Sequence, residues 1–466
     1  MEEKLNLPEA FCERMRRLLG DEYPAFLAAY EREPQKGLRF NPCKGDGNVE
    51  QFLAHSTFPL RETGFAENGF YFDETEAGVG NTPEHHAGMI YVQEPAAMIP
   101  VAAASGYLRR GDYVLDVCAA PGGKSTQLAA VIGREGLLVS NEFVPARAKI
   151  LLSNIERLGI PNAVVTNTDA KHLAGWYESA FDCVLVDAPC SGEGMFRKNP
   201  LAISEWSEEN VAMCAERSFG ILSDAQKCLC PGGILIYSTC TFAPEENEAL
   251  IARFLAAYPD YSVPELPDNI RRVTTPGLSV PGCREDLTRS ARCYPHVTGG
   301  EGQYVCLLQK AGTGERRSTE NTLKPPSKAE QKAADALLAD LFPKDKLPLV
   351  RRCGETLYVT PAHLRVPGVC FSCGVKLGEQ KGERIVPHHQ LFSAYGRDMK
   401  RVWDFSARDP RISAYLHGDT VSLTAEENVT GEGFGCVTVD GCPLGGAKNV
   451  GGILKNHYPK GLRRMQ

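Results

Sequence analysis

Five short apolar segments, separated largely by stretches of helical periodicity, dominate the middle of this chain. The apolar segments span residues 113–118, 136–140, 163–166, 181–186 and 232–237. Helical patterns follow over residues 124–132, 144–158 and 208–230, and again from Pro244, where Glu245 and Glu246 suit a first helical turn. Strands that alternate with helices predict a parallel sheet covered on both faces. The expected fold class is therefore α/β, with a doubly wound, Rossmann-like core.

The chain has 466 residues, too many for one ordinary core, so two or three domains are expected. The alternating pattern defines a core over residues 96–311. Residues 1–95 mix short helical and strand-like pieces, which predicts a small α+β region before the core. Residues 312–328 are polar, contain a Pro-Pro pair and are typical of a linker. Residues 329–466 begin with a helical pattern and continue as short, glycine-rich strands, which predicts a C-terminal domain.

Composition sets the class of protein but not its substrate. The 17 cysteines are scattered and odd in number, which favours free thiols in a reducing compartment. The N-terminus is polar and acidic, and no apolar run approaches the roughly 18 residues that cross a bilayer, so a cytoplasmic protein without a membrane partner is expected. The net charge of −7 does not suggest nucleic-acid binding. Phosphate binding needs only a local basic face, so both an RNA and a small substrate remain open.

Acidic residues and a glycine turn follow the first four predicted strands. In a doubly wound sheet these positions share one crevice, where ligands bind. Gly122 and Gly123 allow a ligand close to the backbone at a helix N-terminus. Glu142, 20 residues beyond Gly122, is placed to accept hydrogen bonds from ribose hydroxyls. Asp169 after the third strand could accept from an adenine amine, and Asp187 follows the fourth.

A dinucleotide dehydrogenase is the main rival for such a site. It would need the Gly-x-Gly-x-x-Gly spacing that admits a pyrophosphate, whereas the turn here reads Ala119-Ala-Pro-Gly-Gly-Lys124. A cofactor without phosphates fits this turn better. S-adenosylmethionine is the common cofactor of that kind, and we expect it here.

Two cysteines, Cys190 and Cys240, follow the fourth and fifth strands. Neighbouring parallel strands lie about 4.8 Å apart, so both thiols can reach the cofactor crevice. A thiolate that adds to carbon 6 of a pyrimidine converts carbon 5 into a nucleophile, which is covalent catalysis. A protonated Asp187 could hydrogen-bond ring nitrogen 3 of such an adduct. The second thiol could assist when the adduct breaks down. From the residues alone, either cysteine could be the nucleophile.

The ordered motifs resemble the Nop/Sun family of RNA cytosine-5 methyltransferases. They are Val114-Leu-Asp-Val-Cys-Ala-Ala-Pro-Gly-Gly-Lys-Ser-Thr126, Asp187-Ala-Pro-Cys-Ser-Gly-Glu-Gly194 and Tyr237-Ser-Thr-Cys-Thr241. Four further segments fit the same pattern, namely Arg39-Phe-Asn-Pro42, Tyr91-Val-Gln-Glu-Pro95, Met195-Phe-Arg-Lys-Asn-Pro200 and Arg292-Cys-Tyr-Pro-His296. Together the motifs cover about residues 36–310. The resemblance implies a methyltransferase core that uses S-adenosylmethionine and acts on cytosine in RNA.

The resemblance also implies roles for single residues. It makes Cys240 the nucleophile and Cys190 the residue that helps release the product, with Asp187 and Lys124 facing the base. It assigns cofactor binding to Cys118, Ala119, Ala120, Pro121, Gly122, Gly123, Lys124, Glu142, Asp169 and Asp187, with Arg147 as a neighbour. DNA cytosine-5 methyltransferases use the cysteine after the fourth strand instead. The choice of Cys240 therefore depends on the family.

The C-terminal half resembles the RsmF type of this family, which carries a PUA-like RNA-binding domain and modifies 16S ribosomal RNA. The similar tail runs from Leu454 to Arg464, and residues 447–466 contain no acid and five basic residues, at 448, 455, 460, 463 and 464. Such a stretch can neutralise phosphates. The resemblance implies that the partner is ribosomal RNA or the small ribosomal subunit, with RNA-binding regions at both ends of a monomeric chain.

Two other interpretations of the sequence have less support than a methyltransferase. A binding-only assembly factor could lose Cys240 and the cofactor acids freely, yet this chain has them all. The Cys370-x-x-Cys373 pair invites a zinc site, but none of its apparent partners matches a usual second ligand pair. Those partners are Cys436 with Cys442 and His388 with His389. We therefore expect no metal, and we expect Cys370 and Cys373 to be core thiols.

Overall fold

The fold was obtained as a computed structural model that describes residues 6–44, 48–56, 58–73 and 78–463. Arg464 of the basic tail lies outside these residues. Across the described ranges, no helix combines the length and the apolar character that crossing a bilayer requires.

The N-terminal region is a small α+β unit with a four-stranded sheet in the order β2-β3-β1-β4. Its elements are α1 (Glu9–Leu19), α2 (Tyr23–Ala29), β1 (Lys36–Phe40), α3 (Val49–His55), β2 (Leu60–Glu62), β3 (Gly69–Phe72), α4 (Pro83–His86) and β4 (Ile90–Val92). The first two helices contribute to a different cluster from the one that holds this sheet. Their Phe11 and Phe26 side chains instead join Phe196, Phe242 and Tyr294 in an aromatic cluster on the next region. The N-terminal region is thereby attached to the loops that follow the central strands.

The central region contains the predicted doubly wound sheet. Its first half comprises α5 (Ile99–Ala103), β5 (Tyr113–Asp116), α6 (Gly123–Ile132), β6 (Leu137–Asn141), α7 (Pro145–Arg157), β7 (Ala163–Thr166), α8 (Ala170–Trp176) and β8 (Phe181–Asp187). Its second half comprises α9 (Pro200–Glu205), α10 (Glu208–Ala225), β9 (Leu229–Thr239), α11 (Glu248–Ala257), β10 (Tyr261–Ser262), α12 (Asp268–Arg271), β11 (Thr275–Pro276), β12 (Ala291–Cys293), α13 (Pro295–Thr298) and β13 (Gln303–Lys310).

Five parallel strands in the order β9-β8-β5-β6-β7 form the centre of this sheet. One apolar core lies on the face covered by α5, α6 and α7, and a second lies on the face covered by α8, α10 and α11. Chain order reverses at β5, so the crevice at the carboxyl end of β5 and β8 is the expected ligand site. The predicted α/β class is confirmed.

The sheet is mixed rather than wholly parallel. Antiparallel β13, β12 and β11 extend it beyond β9, and β10 pairs with β13. The predicted helix start at Pro244 is wrong, because α11 begins at Glu248, with Asn247 before it. Glu246 is fully buried in the preceding turn, where its carboxylate accepts hydrogen bonds from another loop. That tertiary contact overrides the local preference for a first helical turn.

The C-terminal half contains two smaller units. The first comprises α14 (Lys328–Leu341), β14 (Val350–Cys353), β15 (Thr356–Val359), β16 (Ser372–Cys373), β17 (Val375–Lys376), β18 (Gly378–Lys381), β19 (Arg384–Pro387) and α15 (His389–Tyr395). The second comprises β20 (Val402–Phe405), α16 (Pro410–His417), β21 (Val421–Ser422), β22 (Gly433–Val439), β23 (Cys442–Val450) and β24 (Ile453–Asn456), in a five-stranded sheet ordered β20-β22-β23-β24-β21. The segment that enters this half runs along the core, where Arg316 pairs with Asp182 at 2.5 Å.

Contacts between distant parts of the chain join these regions. The N-terminal sheet and the five-stranded C-terminal sheet share one apolar core, in which Leu38 and Phe40 pack with Trp403 and Tyr415. At the other edge of the central sheet, β16 pairs antiparallel with β7. The N-terminal sheet is therefore packed against the C-terminal half, and the C-terminal half is joined to the central sheet.

Candidate active site

The turn between β5 and α6 is supported from the N-terminal region. Gly122 adopts a left-handed conformation with φ of 112°, which favours glycine, and α6 begins at the next residue. Arg39 of β1 is buried, and one guanidinium nitrogen donates to the Gly123 carbonyl and to the Thr126 hydroxyl, both at 2.7 Å. Burial lowers the pKa of Arg39 to about 10, so it stays a cation. Arg39 is a supporting residue that sequence analysis quoted within a motif without assigning it a role.

The first part of the same turn is held by β6 and α7. The Ala119 amide donates to the Asn141 carbonyl at 2.8 Å, and the Arg147 guanidinium donates to the Ala120 carbonyl at 2.7 Å. Asn154 donates to the Pro121 carbonyl at 2.9 Å. Burial raises the pKa of the neighbouring Cys118 thiol, so that thiol stays protonated. The predicted cofactor residues 118–123 therefore form one ordered loop, with Arg147 against it.

Glu142 lies immediately after β6, and its side chain is only 5% exposed. One oxygen accepts from the Val144 amide at 2.9 Å, and the other lies 3.6 Å from an Arg147 nitrogen. The next side chain, Phe143, is an aromatic ring that is 69% exposed. A fixed carboxylate next to an exposed ring is suited to a ribose and its attached base.

Asp169 follows β7 and caps α8. Its Oδ1 accepts from the His172 amide and contacts the His172 ring, both at 2.9 Å. The amide hydrogen bond is the main reason that the pKa of Asp169 is lowered. Asp169 is thus a carboxylate at neutral pH, and its half-exposed side chain retains Oδ2 to accept from a ligand amine.

Lys124 and Asp187 form an ion pair at the carboxyl end of the sheet. The Lys124 ammonium lies 2.8 Å from Asp187 Oδ2, while the Ser238 hydroxyl donates to Asp187 Oδ1 at 2.6 Å. Gln303 of β13 approaches the same oxygen at 3.5 Å. Burial alone would lower the pKa of Lys124, but Asp187 raises it above its ordinary value. The pair therefore holds a proton between two groups that face the crevice.

Cys190 and Cys240 meet at the ends of the adjacent strands β8 and β9. Their sulfur atoms lie 3.4 Å apart, within hydrogen-bonding distance for thiols. The hydrogen bond with Cys240, and then burial, raise the pKa of Cys190 well above its ordinary value. The Cys190 thiol therefore keeps its proton at neutral pH, 3.4 Å from the Cys240 sulfur.

A buried carboxylate joins the two cysteine loops. Glu246 accepts from the Ser191 amide at 2.8 Å and from the Ser191 hydroxyl at 2.5 Å. The same hydroxyl lies 2.9 Å from the Thr241 hydroxyl. Burial raises the pKa of Glu246 to about 7, against the effect of the Ser191 hydrogen bonds. The Pro-Glu-Glu pattern predicts a helix start, and no local signal in the sequence indicates this contact of Glu246 with Ser191.

The strand-end residues thus form two groups. Lys124, Asp187, Cys190 and Cys240 lie at the ends of β8 and β9 and the start of α6, where covalent chemistry is possible. The 118–123 loop, Glu142, Arg147 and Asp169 follow along the ends of β5, β6 and β7, and are suited to an elongated cofactor.

Three models of known protein families together match most of the chain. The family described as 16S rRNA methyltransferase RsmB/F matches residues 107–309. The N-terminal domain of 16S rRNA methyltransferase RsmF matches residues 7–95, and the methyltransferase RsmF PUA domain matches residues 404–464. Ribosomal RNA small subunit methyltransferase F of Vibrio atlanticus is 32% identical over 100% of this chain and 99% of its own length. The protein of that name from Serratia proteamaculans is 31% identical over 98% of this chain and 97% of its own.

Solved structures give the same fold. A methyltransferase homolog protein from Pyrococcus horikoshii is 28% identical, with a TM-score of 0.57 over 66% of this chain and 96% of that one. The structure of NSun6 from Pyrococcus horikoshii with SFG is 20% identical, with a TM-score of 0.54 over 66% of this chain and 99% of that one. At the latter identity the likeness concerns the fold.

Proposed function

Because this chain belongs to the RsmF family of 16S rRNA methyltransferases, we propose that it methylates carbon 5 of a cytidine in 16S ribosomal RNA, with S-adenosylmethionine as methyl donor. The observation that carries the proposal is the 3.4 Å pair of thiols, Cys190 and Cys240, beside the Lys124–Asp187 ion pair. One thiol adds to the base, the other retains a proton, and the ion pair faces the ring.

The residues along the strand ends fit S-adenosylmethionine. Gly122 provides the left-handed turn that leads into α6, and a Cβ at this position would lie only 3.2 Å from the Leu151 side chain, so the N-terminus of α6 is held at the end of β5. Glu142 accepts hydrogen bonds from the ribose hydroxyls, and Asp169 accepts from the adenine amine through Oδ2. The exposed Phe143 ring offers an apolar surface to the adenine. When bound, the cofactor supplies an electrophilic methyl group.

Covalent activation of the base is assigned to Cys240. Its thiolate forms a bond from sulfur to carbon 6 of the cytosine, and the electrons of the 5–6 double bond move to carbon 5. Charge that develops on ring nitrogen 3 is neutralised by the proton shared between Lys124 and Asp187. The base reaches this site only after it leaves any stacked arrangement in the RNA.

Product release reverses the addition. Once carbon 5 carries the methyl group, its proton passes to water in the crevice, the electron pair of that C–H bond forms the 5–6 double bond again, and the bond from carbon 6 to Cys240 breaks with its electrons left on the sulfur. Cys190 retains its proton because of its contact with Cys240, and it lies 3.4 Å from the departing sulfur. We assign Cys190 the role of protonating that sulfur, which makes Cys240 a better leaving group.

Binding of ribosomal RNA is assigned to both ends of a monomeric cytoplasmic chain. In the matched PUA domain, Lys448 on β23 lies directly opposite Lys455 on β24, and both are exposed. Like charges at opposed positions destabilise a sheet unless an anion lies between them. This lysine pair, with Lys460 and Arg463 nearby in sequence, is suited to RNA phosphates. Residues 1–95 contribute a second RNA-binding region, the catalytic core spans 96–311, the linker 312–328, and the rest forms the C-terminal RNA-binding part.

Two cysteine substitutions test the chemistry. Cys240→Ala should abolish transfer of a labelled methyl group to small-subunit RNA. Cys190→Ala should accumulate a protein–RNA adduct that survives a denaturing gel, because addition proceeds and release does not. Full activity of Cys240→Ala would refute the assignment of the nucleophile. Bisulfite mapping of 16S ribosomal RNA from cells with and without the protein tests the substrate, and an unchanged pattern of protected cytidines would refute it.

A further inference from the structure

Three cysteines converge at the junction of the central sheet and the C-terminal half, away from the active site. Cys353 ends β14, Cys370 precedes β16 and Cys373 lies in β16. The Cys353 and Cys370 sulfur atoms are 3.2 Å apart, and all three sulfur atoms lie within 4.8 Å of one another. Among the residues that the structure describes, this is the one group of three potential metal ligands with such spacing.

The local backbone brings the three thiols together. Cys370 and Cys373 have the C-x-x-C spacing of a zinc knuckle. Cys353 closes the β14–β15 hairpin, whose two-residue turn starts at Gly354 in a left-handed conformation with φ of 56°. Spacing in the sequence suggests only Cys436, Cys442, His388 and His389 as partners, because Cys353 comes close to Cys370 only in the folded chain.

The distances suit a thiolate-bound metal. Tetrahedral zinc with bonds of about 2.3 Å to sulfur separates its thiolates by about 3.8 Å. The Cys353–Cys370 pair would open from 3.2 Å by about 0.6 Å, and the other sulfur separations, which are at most 4.8 Å, would close by no more than about 1 Å. Cys373 is fully buried, whereas Cys353 and Cys370 are half-buried. Three ligands therefore come from the protein, and solvent reaches the cluster from one side.

A disulfide explains the cluster less well. It would use Cys353 and Cys370 and would leave the third thiol, Cys373, buried beside it without a role. All 17 cysteines have free thiols in this structure. Simple packing accounts for single buried thiols, such as Cys183, but not for three that face one point.

We propose that Cys353, Cys370 and Cys373 bind one zinc ion, with water as the fourth ligand. Three S–H bonds are lost, three zinc–sulfur bonds form and three protons pass to solvent. The resulting complex carries a net charge of about −1. The Arg352 guanidinium donates to the Gly354 carbonyl at 2.8 Å and lies 4.0 Å from Glu330, which fixes the hairpin turn that follows Cys353.

The ion would link the C-terminal half to the central sheet. Ser372 and Cys373 pair with Val165 and Val164 of β7, so one zinc ligand lies in the strand that extends the central sheet. Cys353 belongs to a separate sheet, made of β14, β15 and β17. Zinc would therefore connect the sheet of β14, β15 and β17 to the central sheet. In the described residues, the strand pairing between the C-terminal half and the central sheet is the short β16–β7 pair, and Asp169 follows β7.

The test is the metal content of the full-length protein. Purified without chelator, the wild type should contain one zinc per chain by plasma mass spectrometry. Cys353→Ser and Cys370→Ser should each reduce zinc to background. Both positions are half-buried, so folding should tolerate these substitutions better than a change at the buried Cys373. Cys283→Ser, a half-buried thiol outside the cluster, is the matched control and should retain zinc.

Cobalt provides a second readout that does not depend on methyl transfer. Apo protein reconstituted with Co²⁺ should show thiolate-to-metal charge-transfer absorption and the visible bands of tetrahedral cobalt. Both should be absent in Cys353→Ser and present in Cys283→Ser. Wild-type protein without zinc and without these cobalt bands would overturn the proposal. So would zinc retained by Cys353→Ser, or a Cys353–Cys370 disulfide found by peptide mapping of freshly isolated protein.

Discussion

Replacement of Glu246 by glutamine tests how the two cysteine loops are held together. The Glu246 carboxyl is fully buried, and its pKa is raised from 4.5 to about 7 because burial disfavours the charged form. At about 1.4 kcal/mol per pKa unit, the folded protein favours neutral over ionised Glu246 by about 3 kcal/mol more than the unfolded chain does. Glutamine has the same shape, can still accept from the Ser191 amide and remains neutral at every pH.

The expected pH dependence has a definite sign. A carboxyl whose folded pKa is raised contributes stability that is fully present below about pH 4.5 and is lost as pH rises through about 7. The difference in unfolding free energy between the Glu246→Gln variant and the wild type should therefore grow by about 3 kcal/mol, in favour of the variant, between about pH 4.5 and pH 8.

Urea denaturation of both proteins over this pH range measures the difference. Other groups that titrate in the same range, such as Asp116 with its pKa raised to about 7 by burial, are common to both proteins and cancel. A difference that stays constant within about 1 kcal/mol would refute the reasoning, since Glu246 would then be ionised in the folded protein throughout. Glu246→Ala provides the contrasting case. It removes the acceptor for Ser191 and should destabilise the protein at every pH.

Three further outcomes are expected. Arg292→Met should lower the unfolding free energy by about 3–5 kcal/mol in urea denaturation, because it leaves the buried Glu248 carboxylate without its ion-pair partner; a loss under about 1 kcal/mol would contradict this. Lys124→Met should slow methyl transfer at least about a hundredfold in initial-rate assays, because Asp187 loses the ammonium group that holds a proton beside it. Joint replacement of Lys448 and Lys455 by glutamine should reduce the slope of log affinity for RNA against log salt by about 1–2, while Cys240 adduct chemistry on saturating RNA is retained.

Local patterns predicted the central sheet well because its strands are apolar, short and bounded by turn residues. The strand predicted over residues 163–166 matches β7, and the neighbouring positions of Cys190 and Cys240 are confirmed by the pairing of β8 with β9. The confirmed assignment to the RsmF family likewise depended on ordered motifs that local sequence carries.

Features that depend on distant residues could not be predicted in the same way. The antiparallel β13 is a simple apolar strand, and nothing local indicates that it pairs with β9. The residues from Pro244 favour a helix start locally, but Glu246 accepts a hydrogen bond from the amide of Ser191, which is 55 residues away in the sequence. Likewise, the sequence around Cys353 shows no sign of a metal site, and its sulfur lies 3.2 Å from that of Cys370 only in the folded chain. In each case the deciding partner lies far along the chain.

The choice between Cys190 and Cys240 as nucleophile depends on more than the positions of the two residues in the fold. Both cysteines follow parallel strands, and residue types alone leave either as the nucleophile. The hydrogen bond between them raises the pKa of Cys190, so one thiol is maintained as a proton donor. Glu246 and its contacts with Ser191 keep the two loops close enough for that bond. A proton donor at Cys190 would serve a sulfur that leaves the base, which agrees with our proposal, made from the family resemblance, that Cys240 is the nucleophile.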